Sequence, residues 1–405
     1  MDSRNRIGRR EFIATSAGAL AAGLGSACGR VPMKEVEEAA AKVGRLPRRT
    51  LDRSGRKVSV LIGAGDWAPE AIEAGILCGI NYWHKSQKWA SGGAPQAILN
   101  NREAYYCEIC VDRVRGNHET GFIEEEADYQ SVKQAVERTG LRYFDDMVLH
   151  FGYHNIAEHK ENRGFIRAYE RLKKEGLVRH MALSQHSYNG NARVPGGEDR
   201  VAILTAVLEE GLYEHAQFAY TFGDMEALTN FVSMARSKGF GTTAMKTTGG
   251  AARMQADSEF MSKFPEGTTP HHALARWLTT STDLSTAVIQ INSLDQFVDT
   301  YSGAGKPLRA ADARAIEMMT AYADREVCRL CNDCMSHCAQ GVAIADILRY
   351  ERYATDYGDR ERARRLYAQL DKKGDACQVC GTCLTDCRQG LEIPAKLADA
   401  HRLLG

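Results

Sequence analysis

Val58-Ser-Val-Leu-Ile62 is a short apolar, β-branched run of strand length, and Pro69 opens a helix behind it before Ile80-Asn-Tyr-Trp83. The alternation then repeats along the chain. Tyr105-Tyr-Cys-Glu-Ile109 is followed by a helical stretch from Asp128 to Thr139, and Phe144-Asp-Asp-Met-Val-Leu149 by one from Phe165 to Glu175. His180-Met-Ala-Leu-Ser184 precedes a helix from Val201 to Glu209. Ala216-Gln-Phe-Ala-Tyr220, Gly241-Thr-Thr-Ala-Met245 and Thr286-Ala-Val-Ile-Gln-Ile291 complete the series. Eight β/α units in roughly 250 residues have the count and size of a TIM (β/α)8 barrel, whose site lies at the C-terminal ends of the strands.

Beyond the barrel, eight of the twelve cysteines fall into two matched runs. They are Cys328-x2-Cys331-x2-Cys334-x3-Cys338 and Cys377-x2-Cys380-x2-Cys383-x3-Cys387. This is the thiolate spacing of bacterial ferredoxins, in which three cysteines of a run hold one cubane and the fourth reaches the other cluster. Zinc is the alternative, but its sites favour two C-x2-C pairs, and disulfides between such close neighbours would be strained. Ala339 and Arg388 stand where proline usually follows the fourth cysteine, which removes no ligand. Between the runs, residues 344–353 and 360–370 have amphipathic helical spacing. We therefore expect an α-helical ferredoxin-type module with two [4Fe–4S] clusters.

The 405 residues allow a large domain and a smaller one, and formal charge is zero, so nucleic acid is not an expected partner. No run of eighteen apolar residues is present, so no mature membrane span is expected. Arg9-Arg10-Glu11-Phe12-Ile13, followed by the mildly apolar 14–25, resembles a twin-arginine (Tat) export signal, with Gly8 where Ser or Thr is usual. That route carries proteins folded around their cofactors and implies a location in the periplasm or on the outer face of the cytoplasmic membrane. Small residues at 25–27 precede Cys28, which suits either ordinary cleavage or a lipid anchor on Cys28. Residues 29–49 are charged and Ala-rich and read as a tether or loose helix.

The middle region resembles the aldo/keto reductases. Arg53-Ser-Gly-Arg-Lys-Val-Ser59, Gly63-Ala-Gly65, Gly79-Ile-Asn-Tyr82, Asp145 to His150, Lys174-Glu-Gly-Leu-Val-Arg179 and Ala182-Leu-Ser184 carry the likeness. It extends to the subgroup with a C-terminal iron–sulfur module. The resemblance implies hydride transfer from NADPH to a carbonyl by an Asp, Tyr, Lys and His. Here His84 stands for the Asp, Trp89 for the Tyr and Cys110 for the Lys, and only His150 is kept. An indole cannot donate a proton as a phenol does. The resemblance gives Gln217 and Tyr220 to the nicotinamide, and Lys246 with Gly249 and Gly250 to the loop after the seventh strand. Gln185 replaces an Asn, and 290–293 replace a Gly-containing turn, so NADP(H) binding is open.

Strand alternation puts Glu108 and Cys110 on one face and Cys107 on the other. With His84 and His150, Cys110 would make a metal or nucleophile site, or else a set of hydrogen-bonded barrel residues around a small buried thiol. A Cys107–Cys110 redox pair fits less well. His154, His159, His271 and His272 read as solvated, the last two at a helix start, and Cys78 as core.

The expected order is an export signal over 1–28, a linker over 29–47, a barrel over 48–305 and a ferredoxin-type domain over 306–405. The function expected is an exported iron–sulfur oxidoreductase passing electrons between a redox partner protein and a small-molecule site in the barrel. The alternative is a non-catalytic electron-transfer or docking protein.

Overall fold

The computed structural model describes residues 33–91, 93–112, 124–153, 155–161, 163–185, 200–220, 222, 226–248, 250–330, 333–335 and 337–405. The export signal, Cys28, His154, Gly249 and Cys331 lie outside them.

Eight short strands, each rich in residues that fit a pleated buried surface, close into a parallel barrel. They are β3 (Leu61–Ala64), β4 (Tyr82–His84), β5 (Tyr106–Asp112), β6 (Phe144–His150), β7 (Val178–Gln185), β8 (His215–Ala219), β9 (Gly241–Met245) and β10 (Thr286–Val288), with β10 pairing to both β3 and β9. Side chains alternate across each strand. Ile109, Val111, Met147 and Leu149 join the helix-side core, while Cys110, Val148 and Ala182 touch one another in the lumen.

The run from Val58 to Ile62 is not one strand. Two further strands, β1 (Arg48–Thr50) and β2 (Lys57–Ser59), form an antiparallel hairpin, and the chain turns at Val60 before entering β3. The Arg49 guanidinium donates to the carbonyls of Thr279, Ser281 and Leu284, just ahead of β10, so the hairpin closes the N-terminal end of the barrel. The expected tether is likewise a helix, Met33–Val43, which buries Ala39 and sends Val36 and Val43 into the barrel's own core.

Helix Ala310–Glu326 packs on helix Pro270–Thr280 and lends Ala315, Met319 and Ala323 to the barrel core. A second core begins past Val327, around Val342, Ile347, Leu348, Tyr367, Leu391 and Leu397. Its two halves repeat at a spacing of 49 positions, from Cys328 to Cys377. Leu330 (φ 59°) and Val379 (φ 54°) take the same left-handed backbone inside the first C-x2-C of each run. Gly341 and Gly390 both have φ 64° and each donates back to the carbonyl of the run's last cysteine. Each half then enters a 12-residue helix, Ile344–Thr355 or Ile393–Leu404. A non-glycine residue in the left-handed region costs about 1–2 kcal/mol, so its recurrence marks a required loop shape.

Candidate active site and cysteine module

The barrel lumen holds a chain of buried polar groups instead of an apolar filling. Tyr82 and His84 project inward from β4, Glu108 and Cys110 from β5, Asp146 from β6, and His215 and Gln217 from β8. Glu108 is fully buried and fully engaged. It accepts from the Tyr82 hydroxyl (2.7 Å) and from the Gln217 amide at both oxygens (2.7 and 2.6 Å), and it pairs with His84 Nδ1. Burial opposes its ionisation, but the His84 charge and hydrogen bond, with His215 and Gln217, hold the carboxyl below its usual range. Toward the N-terminal end, Tyr82 meets His215 Nε2 at 3.2 Å, His215 faces Asp146 at 3.6 Å, and Asp146 is bound by Arg56 (2.6 Å), which also pairs with Asp52.

Toward the mouth, the Cys110 thiol lies 3.8 Å from His84 Nδ1 and 3.9 Å from Glu108. One donor atom from each of His84, Glu108 and Cys110 falls within a mutual 4.8 Å. An imidazole, a carboxylate and a thiolate suit a borderline transition metal such as zinc or iron(II). His84 and Glu108 already touch, so as they stand they form a proton-sharing pair beneath a thiol. Gln87 fixes this arrangement, because its amide donates to the Cys110 carbonyl (2.9 Å) and accepts from the Cys110 N–H (3.2 Å). Cys107 points the other way and is buried, which pushes its thiol up to about 12. Cys78 sits in the core, as expected, with its thiol likewise pushed up to about 12 by burial.

His150 ends β6, half-buried, with its ring 4.2 Å from that of Phe151, and it is not in the His84–Glu108–Cys110 group. Trp89 lies in the core with its ring 5.8 Å from Trp83. Gln217 gives its amide protons to Glu108. Gln185 donates to the Tyr153 carbonyl (2.8 Å) and accepts from the Tyr153 N–H (3.1 Å). Gln217, expected at a nicotinamide carboxamide, and Gln185, which stands in place of an Asn, are thus both engaged within the protein. Tyr220 differs from the expectation of a mouth-facing ring. It lies on the same strand parity as Phe218, turns to the helix layer and stacks on Trp277 at 5.6 Å. Counting by twos from Gln217 would have placed it there.

Lys246, at the end of β9 with φ 53°, turns toward the cysteine module. Its ammonium stands 5.3 Å from the Tyr353 ring and 5.8 Å from the Tyr357 ring. His159 and His271 are buried and not solvated: His159 pairs with Glu210 at 2.6 Å, and His271 meets Gln255 at 2.7 Å. His272 does open the helix, its N–H capped by Thr269.

In the module, Cys338 of the first run and Cys377, Cys380 and Cys383 of the second line one cavity, with Val342, Ile344, Pro394 and Leu397 as its apolar wall. Further ties cross between the runs. Gln340 bonds Gln378 (3.1 Å), Asp333 pairs with Arg388 (2.6 Å) and His337 with Asp386 (2.9 Å), which sets Cys334 beside the end of the second run. N–H groups point at sulfur at Leu330 to Cys328 and Leu391 to Cys387, both 3.4 Å. Cys328 lies on the barrel side, lining a cleft with Arg253, Val327 and Arg352. Among the described residues no disulfide forms.

No protein-family model matches the chain, and no curated protein does. The solved structures similar to it are aldo-keto reductases, aligned over the barrel. Aldo-keto reductase AKR11C1 of Bacillus halodurans is 17% identical with a TM-score of 0.48, covering 68% of this chain and 96% of its own. A candidate aldo-keto reductase of Pseudomonas aeruginosa is 16% identical with a TM-score of 0.46, covering 65% and 99%. Aldo-keto reductase AKR2E5, complexed with NADPH, is 13% identical with a TM-score of 0.47, covering 68% and 88%.

Proposed function

We propose that the chain is an exported iron–sulfur oxidoreductase built on a reductase-type barrel. In this reading Cys328, Cys331, Cys334 and Cys387 hold one [4Fe–4S] cluster, and Cys377, Cys380, Cys383 and Cys338 the other. The observation that carries it is the meeting of Cys338 with three cysteines of the other run in one apolar-walled cavity. Zinc would need only two C-x2-C pairs, whereas this donor set follows the crossed lending of a two-cluster ferredoxin. Clusters held there supply one-electron transfer.

The chain's own residues set direction and surroundings. The second run lies at the exposed end, with Cys380 and Val379 open to solvent, and the first abuts the barrel through Arg329, which donates to the Phe222 carbonyl at 3.2 Å. The N–H groups of Leu330 and Leu391 donate toward the sulfurs of Cys328 and Cys387. Electrons pass from a partner at the exposed end, through the module, to a small molecule at the barrel mouth. There the buried His84–Glu108 pair can accept or return a proton beside Cys110. A nicotinamide is not required, since Gln185 and Gln217 are engaged elsewhere. Export through the twin-arginine route, with Cys28 cleaved or lipidated, belongs to the same proposal and rests on Arg9-Arg10 and the 14–28 stretch.

Anaerobic purification with iron and sulfide analysis tests the reading. About eight irons per chain are expected, falling by about half in Cys338→Ser and unchanged in Cys107→Ser. Zinc in place of iron, or full iron in Cys338→Ser, would overturn it. NADPH titration is expected to show no binding. Loss of periplasmic delivery on replacing Arg9 and Arg10 by Lys tests the export.

A further inference from the structure

Most cations along the seam between barrel and module have carboxylate partners. Arg253 pairs with Glu351 and Asp356, Arg352 with Asp356, Arg349 with Asp346, and Lys85 with Asp66. Lys246 and Arg362 are the exceptions: among the described residues neither has a carboxylate in ion-pair range. Both lie against one ring, Lys246 at 5.3 Å and Arg362 at 4.8 Å from the centre of Tyr353. Among the described residues the Tyr353 phenol has no hydrogen-bond partner either. Three polar groups from three elements thus converge, the two cations on a ring face and with no carboxylate among the described residues to pair with: the end of β9, helix Ile344–Thr355 and helix Arg360–Ala368.

Their place is the C-terminal end of the strands. Lys246 follows β9 directly, and Arg362 and the Cys110 thiol both act electrostatically on Lys85, the residue after His84. Lys246 holds its direction with a left-handed backbone, a conformation that non-glycine residues keep at a cost and that clusters at ligand sites. Leaving cations unpaired in a partly dry seam is unfavourable unless something else neutralises them.

We propose that Lys246, Arg362 and Tyr353 form an oxyanion site across the seam, which holds the carboxylate or phosphate of a substrate over the barrel mouth. The two cations supply charge, and the phenol donates a hydrogen bond. This rests on the reading of the mouth as the substrate site, but not on the clusters. It also accounts for two unusual acidities. Burial works against a Tyr353 phenolate, but Lys246, Arg349 and Arg362 outweigh it and the opposing Asp346, bringing the phenol down to about 8. Burial, with Arg352, Arg349 and Arg362, brings Lys246 down to about 8 despite the help of Tyr353.

Phenolate and oxyanion would compete for the same cations. Well below about pH 8 the phenol is neutral and Lys246 charged, so the site binds; as pH rises through that region the Tyr353–Lys246 pair sheds protons and its positive charge, so binding weakens. The test is the ultraviolet difference titration of the intact holoprotein against Tyr353→Phe, in chloride, phosphate or acetate at equal ionic strength. One phenol ionising near pH 8 is expected in chloride. Phosphate, acetate or both should raise that midpoint by about one unit, as a like charge nearby does. A response to phosphate alone assigns a phosphate-bearing ligand, and a response to acetate alone a carboxylate. Arg362→Gln and Lys246→Met should each remove the anion effect. An unchanged midpoint in all three salts would overturn the proposal, whatever the iron content.

Discussion

Arg253 of the barrel joins Glu351 of the module at 2.8 and 3.0 Å, and the same guanidinium reaches Thr355 and Asp356. One side chain on the short helix Ala251–Ala256 after β9 therefore gathers two residues of the helix that also carries Tyr353, and its C-cap Asp356. Burial works against its charged form, but Asp356 and Glu351 outweigh it and raise its pKa.

Arg253→Ala is expected to loosen the module before it unfolds the barrel. Charged hydrogen bonds in partly buried settings contribute about 1.5–3 kcal/mol each at most, and Asp356 keeps Arg352 as a second partner. Limited proteolysis of wild type and variant should show faster cleavage between the two cores. Equal rates would mean that the seam is held by its apolar contacts.

The Glu108 carboxylate gives a signed dependence on pH. Its folded-state pKa is lower than that of the free side chain, so its stabilisation is complete above the unfolded value of about 4.5 and is lost as pH falls through the folded one. Glu108→Gln should cost about 3–5 kcal/mol near pH 7, the range for breaking a buried charged pair. The gap in melting temperature from wild type should narrow as pH falls below the unfolded value of about 4.5. A gap constant from pH 3 to 7 would show that the charge is not what matters.

Gly63 is required by the ring of Trp83, which stands 2.3 Å from where a Cβ at position 63 would be. Gly63→Ala is expected to destabilise the barrel by about 1–3 kcal/mol, the range for overpacking a tight core. Urea unfolding followed by tryptophan fluorescence reads it directly. A neutral result would mean that Trp83 can move, and with it β4 and His84.

Restoring the side chains of a carbonyl-reducing barrel by His84→Asp, Trp89→Tyr and Cys110→Lys should give an unstable protein. A carboxylate at position 84 would face the Glu108 carboxylate in place of an imidazole, and like charges in a dry lumen oppose each other. Adding Glu108→Gln should recover much of the melting temperature. If the triple variant is as stable as wild type, the lumen is wetter than its packing implies.

What the sequence conveyed follows how local each signal is. The strands were legible because their apolar runs are short and bounded, and β5 alternation correctly put Glu108 with Cys110 and set Cys107 apart. Val58 to Ile62 misled because an unbroken apolar run hides the turn at Val60, where the N–H is taken by the Pro47 carbonyl. Helix Met33–Val43 carried its signal in Val36, Ala39 and Val43, which its charged composition obscured. The burial of His159 had no nearby cue, since its partner Glu210 lies on another helix. Tyr353 and Arg362 were invisible for the same reason: more than a hundred residues separate them from Lys246, and only packing of the module on the barrel brings them together.

The sulfur atoms of the module are traded between segments. Cys338 stands with the second run, and the tie from Asp333 to Arg388 brings Cys387 back toward the first. In the proposed two-cluster reading, each half lends the other its fourth ligand. Filling one site would pin a cysteine beside the other and so order the second cavity. Loss of one lent sulfur would then empty one site and loosen its neighbour, coupling two assemblies that remain separable.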